Sequence, residues 1–184
     1  MDYAIGDVHG CLDKLARLLA LLNYDTTADR LIFLGDYIDR GPDSKGVLDL
    51  LLCLQQENPT NVFLMGNHEE NFLLYIQACL AGDDDRYWLS EPFLAGGGEA
   101  TLSSYHPPRH NPLDPHLVQA IPPEHRHFLA ALPLYWTNAT YIAVHAGVRP
   151  GIPLERQHPN DLLRIRAPFL HMPHRLGKYV IFGH

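Results

Sequence analysis

The sequence has few cysteines and more acidic than basic residues. Its three cysteines, Cys11, Cys53 and Cys79, are an odd number and form no Cys-x-x-Cys pair. They indicate neither a disulfide framework nor a zinc–thiolate site, and we interpret them as packing residues in predicted helices. The formal charge of −7, with 14 Lys and Arg against 21 Asp and Glu, argues against nucleic acid as the main partner.

Long apolar runs are also missing. No run approaches the ~18 residues of a membrane span, so we expect no membrane partner. The first predicted strand begins almost at Met1, which leaves no room for a signal peptide, and we expect a cytoplasmic protein. A length of 184 residues with 46% apolar content predicts one globular domain over residues 1–184.

The most informative stretch is LIFLGDYIDRGP at residues 31–42. Its four apolar residues predict a strand that is covered on both faces, as in a parallel sheet. Gly35 permits a sharp turn, after which Asp36, Asp39 and Arg40 follow. Open α/β sheets hold their chemistry outside the carboxyl ends of strands, so these three residues are candidates for a functional site.

The same pattern of strand, glycine and polar residue occurs before and after this stretch. YAIGDVHG at residues 3–10 ends in Asp7 and His9, and NVFLMGNHE at 61–69 ends in Asn67 and His68. The repeats lie about 30 residues apart, which is the length of a βαβ unit. Apolar stripes between them predict helices over 11–22, 43–54 and 69–80, and hence a largely parallel sheet.

The middle of the chain is less regular. We interpret residues 82–88 as an acidic loop and the glycines at 96–98 as a flexible turn before a helix over 99–105. A phosphate cradle at these glycines is the less favoured alternative, because no apolar strand precedes them. Five histidines then follow within residues 106–127. Their spacing is not that of a compact metal site, and we favour a solvated loop that leads into a helix at residues 123–132.

Later strands are predicted over 134–137, 140–144 and 178–182, and His145 and His184 directly follow the last two. The strand ends thus collect six oxygen and nitrogen ligands, namely Asp7, His9, Asp36, Asn67, His145 and His184. Such a set without thiolates favours manganese, iron or zinc over calcium. A central carboxylate can bridge two ions, and Asp36 is the natural candidate.

Five motifs resemble those of the PPP-type serine/threonine phosphatases, within the calcineurin-like metallophosphoesterase superfamily. They are GDVHG at 6–10, GDYIDRG at 35–41, GNHE at 66–69, AVHAG at 143–147 and FGH at 182–184. The stretch GGGEATLSSY at 96–105 is similar to the bacterial and lambda-phage branch. The resemblance implies an α/β metallophosphoesterase fold, with two mixed β-sheets packed as a sandwich, flanking helices and a dimetal site at the carboxyl ends of strands.

The resemblance also implies roles for individual residues. Two divalent ions are expected, with manganese favoured and iron or zinc as alternatives; the first would be held by Asp7, His9 and Asp36, the second by Asp36, Asn67, His145 and His184. His68 would be the general acid and Asp39 would orient it. Arg40 would bind phosphate, together with Arg166, which stands three residues before Phe169; Arg164 is the alternative.

From this resemblance we expect a phosphoprotein phosphatase that hydrolyses phosphoserine and phosphothreonine, and small phosphomonoesters in vitro, by direct attack of a hydroxide bridging the metals. One alternative is a dinucleoside-polyphosphate hydrolase, although those relatives typically have glutamine at the position of His9 and lack the aspartate at that of Asp39. Others are a different phosphoesterase, or a weakly active or non-catalytic scaffold. Because the resembled family continues past its last histidine motif, we also expect a natural chain longer than residues 1–184.

Overall fold

The first sheet is parallel and carries the three repeated motifs. The computed structural model describes residues 1–81, 86–106 and 114–184. Strands β1 (Asp2–Ile5), β2 (Arg30–Phe33) and β3 (Val62–Phe63) lie in the order β1-β2-β3. Tyr3 pairs with Leu31, and Ile32 pairs with Val62. The predicted parallel arrangement is therefore confirmed.

Helices connect these strands as the apolar stripes predict. They are α1 (Leu12–Leu22), α2 (Ser44–Glu57) and α3 (Asn67–Ala81). Helix α2 begins where the Asp43 side chain accepts a hydrogen bond from the Gly46 N–H, an N-cap that satisfies a free backbone donor. The apolar stripe predicted for α1 includes Leu15 and Leu18; Leu15 is buried, but the prediction is wrong at Leu18, which is 39% exposed.

A helical region separates the two sheets along the chain. It contains α4 (Arg86–Ala95), α5 (Gly98–Tyr105), α6 (Pro115–Gln119) and α7 (Pro123–Ala130). The predicted acidic loop is wrong for residues 86–88, which open α4, and residues 82–85 lie outside the described ranges. Part of the predicted histidine-containing loop is α6, which starts with a proline after an Asp114 cap; His110 lies outside the described ranges.

The second sheet contains the later predicted strands. Strands β4 (Tyr135–Thr137), β5 (Tyr141–Val144) and β6 (Tyr179–Ile181) lie in the order β4-β5-β6. The first pair is antiparallel and the second is parallel, so this sheet is mixed. Between β5 and β6 the chain forms a short 3-10 turn (Leu154–Arg156), α8 (Pro159–Arg164) and α9 (Ala167–His171).

The two sheets pack face to face. Ala143 of the second sheet packs in one cluster with Ile32 of β2 and with Leu34 and Leu64, which directly follow β2 and β3. Trp136 of the second sheet is partly buried beside this cluster. The opposite face of the first sheet packs on helices through a larger cluster that includes Phe33. The predicted sandwich with flanking helices is thus confirmed, except that among the described strands only the second sheet is mixed, whereas the first is parallel. Within the described ranges, no helix is long and apolar enough to cross a membrane.

Candidate active site

The ends of β1, β2, β3, β5 and β6 meet where the two sheets join. The His145 ring donates from Nδ1 to the Leu34 carbonyl across the sandwich, at 2.8 Å. The backbone N–H of His184 contacts Asp7 Oδ1 at 3.2 Å, also across the sandwich, while the N–H of Gly183 donates to the His145 carbonyl at 2.8 Å within the second sheet. Residues far apart in sequence therefore share one site between the sheets.

The backbone at this site is strained. Five non-glycine residues have positive φ, a conformation that L-residues rarely adopt. They are His9 (44°), Asp36 (56°), Asp39 (72°), Arg40 (67°) and His184 (62°). Strain of this kind persists only where surrounding contacts hold it, and it concentrates at functional sites.

Gly35 makes the central turn possible. Its φ is 102°, and a Cβ there would lie 2.6 Å from the Gly66 nitrogen. No other residue type fits this close approach of two loops. The sequence prediction that Gly35 releases Asp36 into a tight loop is confirmed.

The first group of candidate ligands contains His9, Asp36 and His68, whose ligand atoms lie within 4.8 Å of one another. His9 contacts the Ile38 carbonyl through Nδ1 at 2.8 Å. A carbonyl only accepts, so the proton of a neutral His9 ring is on Nδ1 and the lone pair is on Nε2. This lone pair faces Asp36 Oδ2, which lies 3.7 Å away.

The second group contains Asp36, His145 and His184. Because His145 Nδ1 donates to a carbonyl, its Nε2 carries a lone pair, which faces Asp36 Oδ1 at 3.4 Å and Asn67 Oδ1 at 3.0 Å. His184 Nδ1 lies 3.2 Å from His145 Nε2. Lone pairs that converge in this way fit a divalent cation, and Asp36 is shared by both groups.

His184 is suited to act as a neutral ligand. Burial lowers the pKa of its imidazole, and the neighbouring His145 and the charge of Arg166 lower it further, while Asp36 and Asp7 act against this. A metal ligand must present a free lone pair, so a lowered pKa keeps the ring in the form that binds.

Asp7 is placed differently from the sequence prediction. Its side chain is exposed, it belongs to neither compact group, and its Oδ1 accepts the His184 N–H. His68 takes its place in the first group. Asn67 lies beside His145, as predicted. The role of Asp7 as a ligand of the first ion remains a prediction.

His68 and Asp39 form a buried pair. The distance from His68 Nδ1 to Asp39 Oδ2 is 2.6 Å, and Asp39 is fully buried. Burial of the ring acts to lower the pKa of His68, but the hydrogen bond that His68 donates to Asp39 and the charge of Asp36 outweigh it, and the pKa is raised. The imidazolium is thereby stabilised, as a proton donor requires.

Arg40 spans the two imidazoles of the first group. Its Nη1 lies 2.9 Å from His9 Nε2 and its Nη2 lies 3.1 Å from His68 Nε2. The guanidinium therefore faces the space between these rings. A planar fork of donors in this position suits phosphoryl oxygens.

The two candidate second arginines have different surroundings. Arg164 contacts Glu70 through Nη1 and donates from Nη2 to Asn71 Oδ1 at 2.8 Å, so it is held by α3. Arg166 is exposed, and its charge acts on His184. Arg164 is thus already held by α3, and the role of Arg166 as the arginine that meets a phosphate stays a prediction.

The sequence analysis assigned no role to Glu69. This carboxylate is fully buried and accepts the N–H groups of Asp36 and Tyr37 at 2.8 Å and of Gly66 at 2.9 Å. Burial and the charge of Asp36 raise the pKa of Glu69 to about 8. Glu69 thus fixes the loops that carry Asp36 and Asn67. Its position directly after His68 in GNHE was the available signal.

The glycine-rich segment before α5 was also missed. Gly97 has φ 101° and its carbonyl accepts the Arg40 N–H at 3.2 Å. A Cβ at Gly96 would lie 3.1 Å from His68 Cε1. Thr101, in the next turn, hydrogen bonds to Asp39. The segment predicted as a flexible turn instead packs against the candidate active site.

Comparisons with known proteins agree with this architecture. A symmetrical bis(5'-nucleosyl)-tetraphosphatase from Legionella pneumophila (strain Corby) is 42% identical over 100 residues, which are 53% of this chain and 34% of the relative. One from Methylococcus capsulatus (strain Bath) is 44% identical over 71 residues, 39% of this chain and 24% of the relative. The aligned parts therefore span about a third or less of these curated relatives.

Two solved structures show the same fold. A crystal structure named as that of a candidate diadenosine tetraphosphatase has a TM-score of 0.63 at 25% identity, covering 90% of this chain and 58% of that one. A serine/threonine phosphatase from Saccharomyces cerevisiae has a TM-score of 0.57 at 19% identity, covering 97% of this chain and 48% of that one. The second likeness shows the fold alone.

A family model described as "Calcineurin-like phosphoesterase" matches residues 3–184, which is almost the whole chain. This match, the two-sheet sandwich and the ligand groups that share Asp36 lead to one assignment. The chain belongs to the calcineurin-like phosphoesterase family.

Proposed function

We propose that the chain hydrolyses phosphoric ester or anhydride bonds at a two-cation site, with His68 as the acid that protonates the leaving group. The observation that carries this proposal is the 2.6 Å contact between His68 Nδ1 and Asp39 Oδ2, with Nε2 facing Arg40. Arg40 Nη2 only donates, so its contact with His68 Nε2 in this structure requires a lone pair on Nε2. When Arg40 instead binds a phosphate, Nε2 is free to carry the proton, and it lies where the leaving group would depart.

The family implies two divalent cations, and the donor set fits them. We propose that Asp7, His9 and Asp36 hold one and that Asp36, Asn67, His145 and His184 hold the other, with manganese as the favoured ion. When bound, the cations would polarise phosphoryl oxygens and make water nucleophilic near neutral pH.

The chain's own residues orient the substrate and move the proton. The Arg40 guanidinium would bind non-bridging phosphoryl oxygens between His9 and His68, and Arg166 would contact the phosphate from the His184 side. His68 would then give its Nε2 proton to the departing oxygen, while the Asp39 carboxylate holds the ring in one orientation.

The first substrate candidate is a dinucleoside polyphosphate. The named activity of the relatives supports it, as does the 25% identical solved structure. A cavity of about 410 Å³ beside Asp7 and His9 gives further support, because its other walls include Lys14, Leu15 and Leu18. Apolar walls and one cation suit a nucleoside with its phosphate.

The second candidate is a phosphoserine or phosphothreonine, and the His68–Asp39 pair favours it. An alkoxide leaving group is strongly basic and needs a proton in the transition state. Cleavage of a dinucleoside tetraphosphate in the middle releases a nucleoside diphosphate, which is stable without that proton. A buried acid pair is therefore most useful for an alkyl ester.

A substrate panel distinguishes the two candidates. Purified protein with manganese would be given diadenosine tetraphosphate, a phosphoserine peptide and p-nitrophenyl phosphate, with products resolved by chromatography. Release of two ADP molecules would support the first candidate, and release of phosphate from the peptide the second. Failure to hydrolyse any of the three, with metal shown to be bound, would overturn the proposal.

A further inference from the structure

Thr101 lies 62 residues from Asp39 in sequence and contacts it directly. The Thr101 hydroxyl donates to Asp39 Oδ1 at 2.6 Å and accepts the Asp39 N–H at 2.9 Å. Both residues are fully buried. Asp39 Oδ2 contacts His68, so its two carboxylate oxygens have separate partners.

Ser44 extends this arrangement. Its hydroxyl lies 3.0 Å from Thr101 Oγ1 and accepts the Asp39 N–H at 3.1 Å. Because Thr101 gives its only proton to Asp39, Ser44 is the donor in the contact between the two hydroxyls. The side-chain hydrogen bonds therefore converge on the Asp39 carboxylate: Ser44 donates to Thr101, Thr101 donates to Oδ1, and His68 Nδ1 donates to Oδ2.

From this chain of hydrogen bonds we infer that Thr101 is a positioning residue for the leaving-group acid: it fixes the Asp39 carboxylate so that Oδ2 holds the His68 ring with Nε2 toward the phosphate. The inference rests on the proposed function of His68. Thr101 contacts no reacting atom in this arrangement and acts only through Asp39.

The structure shows why this position matters. Asp39 has φ 72°, a backbone conformation that persists only where surrounding contacts hold it. Without the Thr101 hydroxyl, Oδ1 would be a buried acceptor with no remaining donor among its contacts in the described residues. The carboxylate could then turn about χ2, and the His68 ring would lose its fixed orientation.

Two substitutions at this position test the inference. Thr101→Val keeps the shape and removes the hydroxyl, whereas Thr101→Ser keeps the hydroxyl. With Thr101→Val, kcat for the phosphoserine peptide should fall on the order of tenfold more than kcat for p-nitrophenyl phosphate, whose leaving group needs little protonation. KM should change little, and Thr101→Ser should restore the wild-type ratio.

A measurement without turnover accompanies the kinetics. The His68 Nδ1–H, held by Asp39, should give a downfield proton NMR signal, assigned by its loss in His68→Asn. We expect Thr101→Val to broaden or shift this signal and Thr101→Ser to retain it. The matched control is Ser104→Ala, one turn further along α5, because Ser104 donates to the Thr101 carbonyl and accepts the Lys45 N–H but contacts neither Asp39 nor His68.

The outcomes separate the two proposals. If His68→Asn affects the peptide and p-nitrophenyl phosphate equally, or neither ester is hydrolysed, the proposed acid role of His68 fails, and the NMR signal alone decides the role of Thr101. If Thr101→Val leaves both the signal and the substrate ratio as in the wild type, or if Ser104→Ala changes them as strongly, the inference about Thr101 is overturned.

Discussion

Asp36 is the residue on which both ligand groups depend, because Oδ1 faces His145 and Oδ2 faces His9. We predict that Asp36→Asn weakens both cation sites at once and lowers kcat by at least about 100-fold, a loss typical of metal-site disruption. Metal content after dialysis and turnover of p-nitrophenyl phosphate measure the two effects. Asp13→Asn, at an exposed position in α1, is the control. Retention of two ions and full turnover by Asp36→Asn would contradict the shared-ligand assignment.

His68 permits a prediction that separates acid from ligand. His68→Asn should keep the metal content near that of the wild type and should lower kcat by about 10²- to 10⁴-fold on the phosphoserine peptide. The loss on p-nitrophenyl phosphate should be smaller. His127→Asn, at an exposed position in α7, is the matched control. Loss of one metal ion would instead identify His68 as a ligand, as its place in the first group allows.

Gly97 links the glycine-rich segment to Arg40. A Cβ there would lie 3.1 Å from Arg40 Cγ and 3.2 Å from Arg40 N, in a backbone with φ 101°. We predict that Gly97→Ala destabilises the fold by about 1–3 kcal/mol and raises KM for phosphate esters. Gly177→Ala is the control, since its φ is 69° and a Cβ there meets nothing within 4 Å. Equal effects of both changes on KM would show that contact with Arg40 is irrelevant.

Among the elements, α5 is attached to its neighbours through a buried histidine as well as through Thr101. His125 in α7 contacts the Tyr105 hydroxyl through Nδ1 at 2.7 Å and Asp49 Oδ1 through Nε2 at 3.0 Å. Burial lowers the pKa of His125; the charge of Lys45 also lowers it, and Asp49 and Glu124 act against this. The folded state therefore prefers the neutral ring.

This preference gives a pH-dependent prediction. The contribution of His125 to stability should be fully present above its ordinary pKa of 6.5 and should be lost as pH falls toward the lower pKa of the folded state. Urea unfolding of wild type and His125→Asn between pH 5 and 8 should show a stability difference that shrinks on acidification. A difference that grows on acidification would mean that the charged ring is the favoured form.

Elements with repeated local patterns could be predicted from sequence, and elements defined by distant contacts could not. The positions of β1, β2 and β3 follow from apolar runs that end at glycine, which is a local signal. The role of Gly96 and Gly97 depends on contacts with Arg40 and His68, which are distant in sequence, so the residues next to the glycines give no signal of it. Helix α6 was not predicted because it is only five residues long and lies among prolines and histidines that resemble a loop, although Pro115 opens the helix.

For the candidate site the same distinction applies. The polar residue after each strand could be identified because parallel strands end at the same edge. The choice between Asp7 and His68 in the first group could not be predicted, because it depends on how the loop after β1 meets the residue His184 after β6 and the start of α3.

For the whole molecule, the site lies across both sheets. Asp36 and Asn67 follow strands of the first sheet, and His145 and His184 follow strands of the second. Bound cations would therefore link the two layers, and we predict that manganese at 100 times its Kd raises the free energy of unfolding by about 2.7 kcal/mol for each site that it fills. Urea unfolding with manganese and with chelator measures this. An unchanged midpoint would show that the cations do not bind the folded state preferentially.

The strained turns and buried acids of the site have a consequence for natural and laboratory selection. Without cations, the charge of Asp36 acts unfavourably on the buried Glu69 side chain, and the strain of five positive-φ residues remains. Asp36→Asn should therefore raise the urea midpoint in chelator and lower it in manganese. A screen for thermostable variants performed without metal would therefore select against the residues that the chemistry requires. A lineage or library kept under such conditions should accumulate proteins that fold well but have inactive sites.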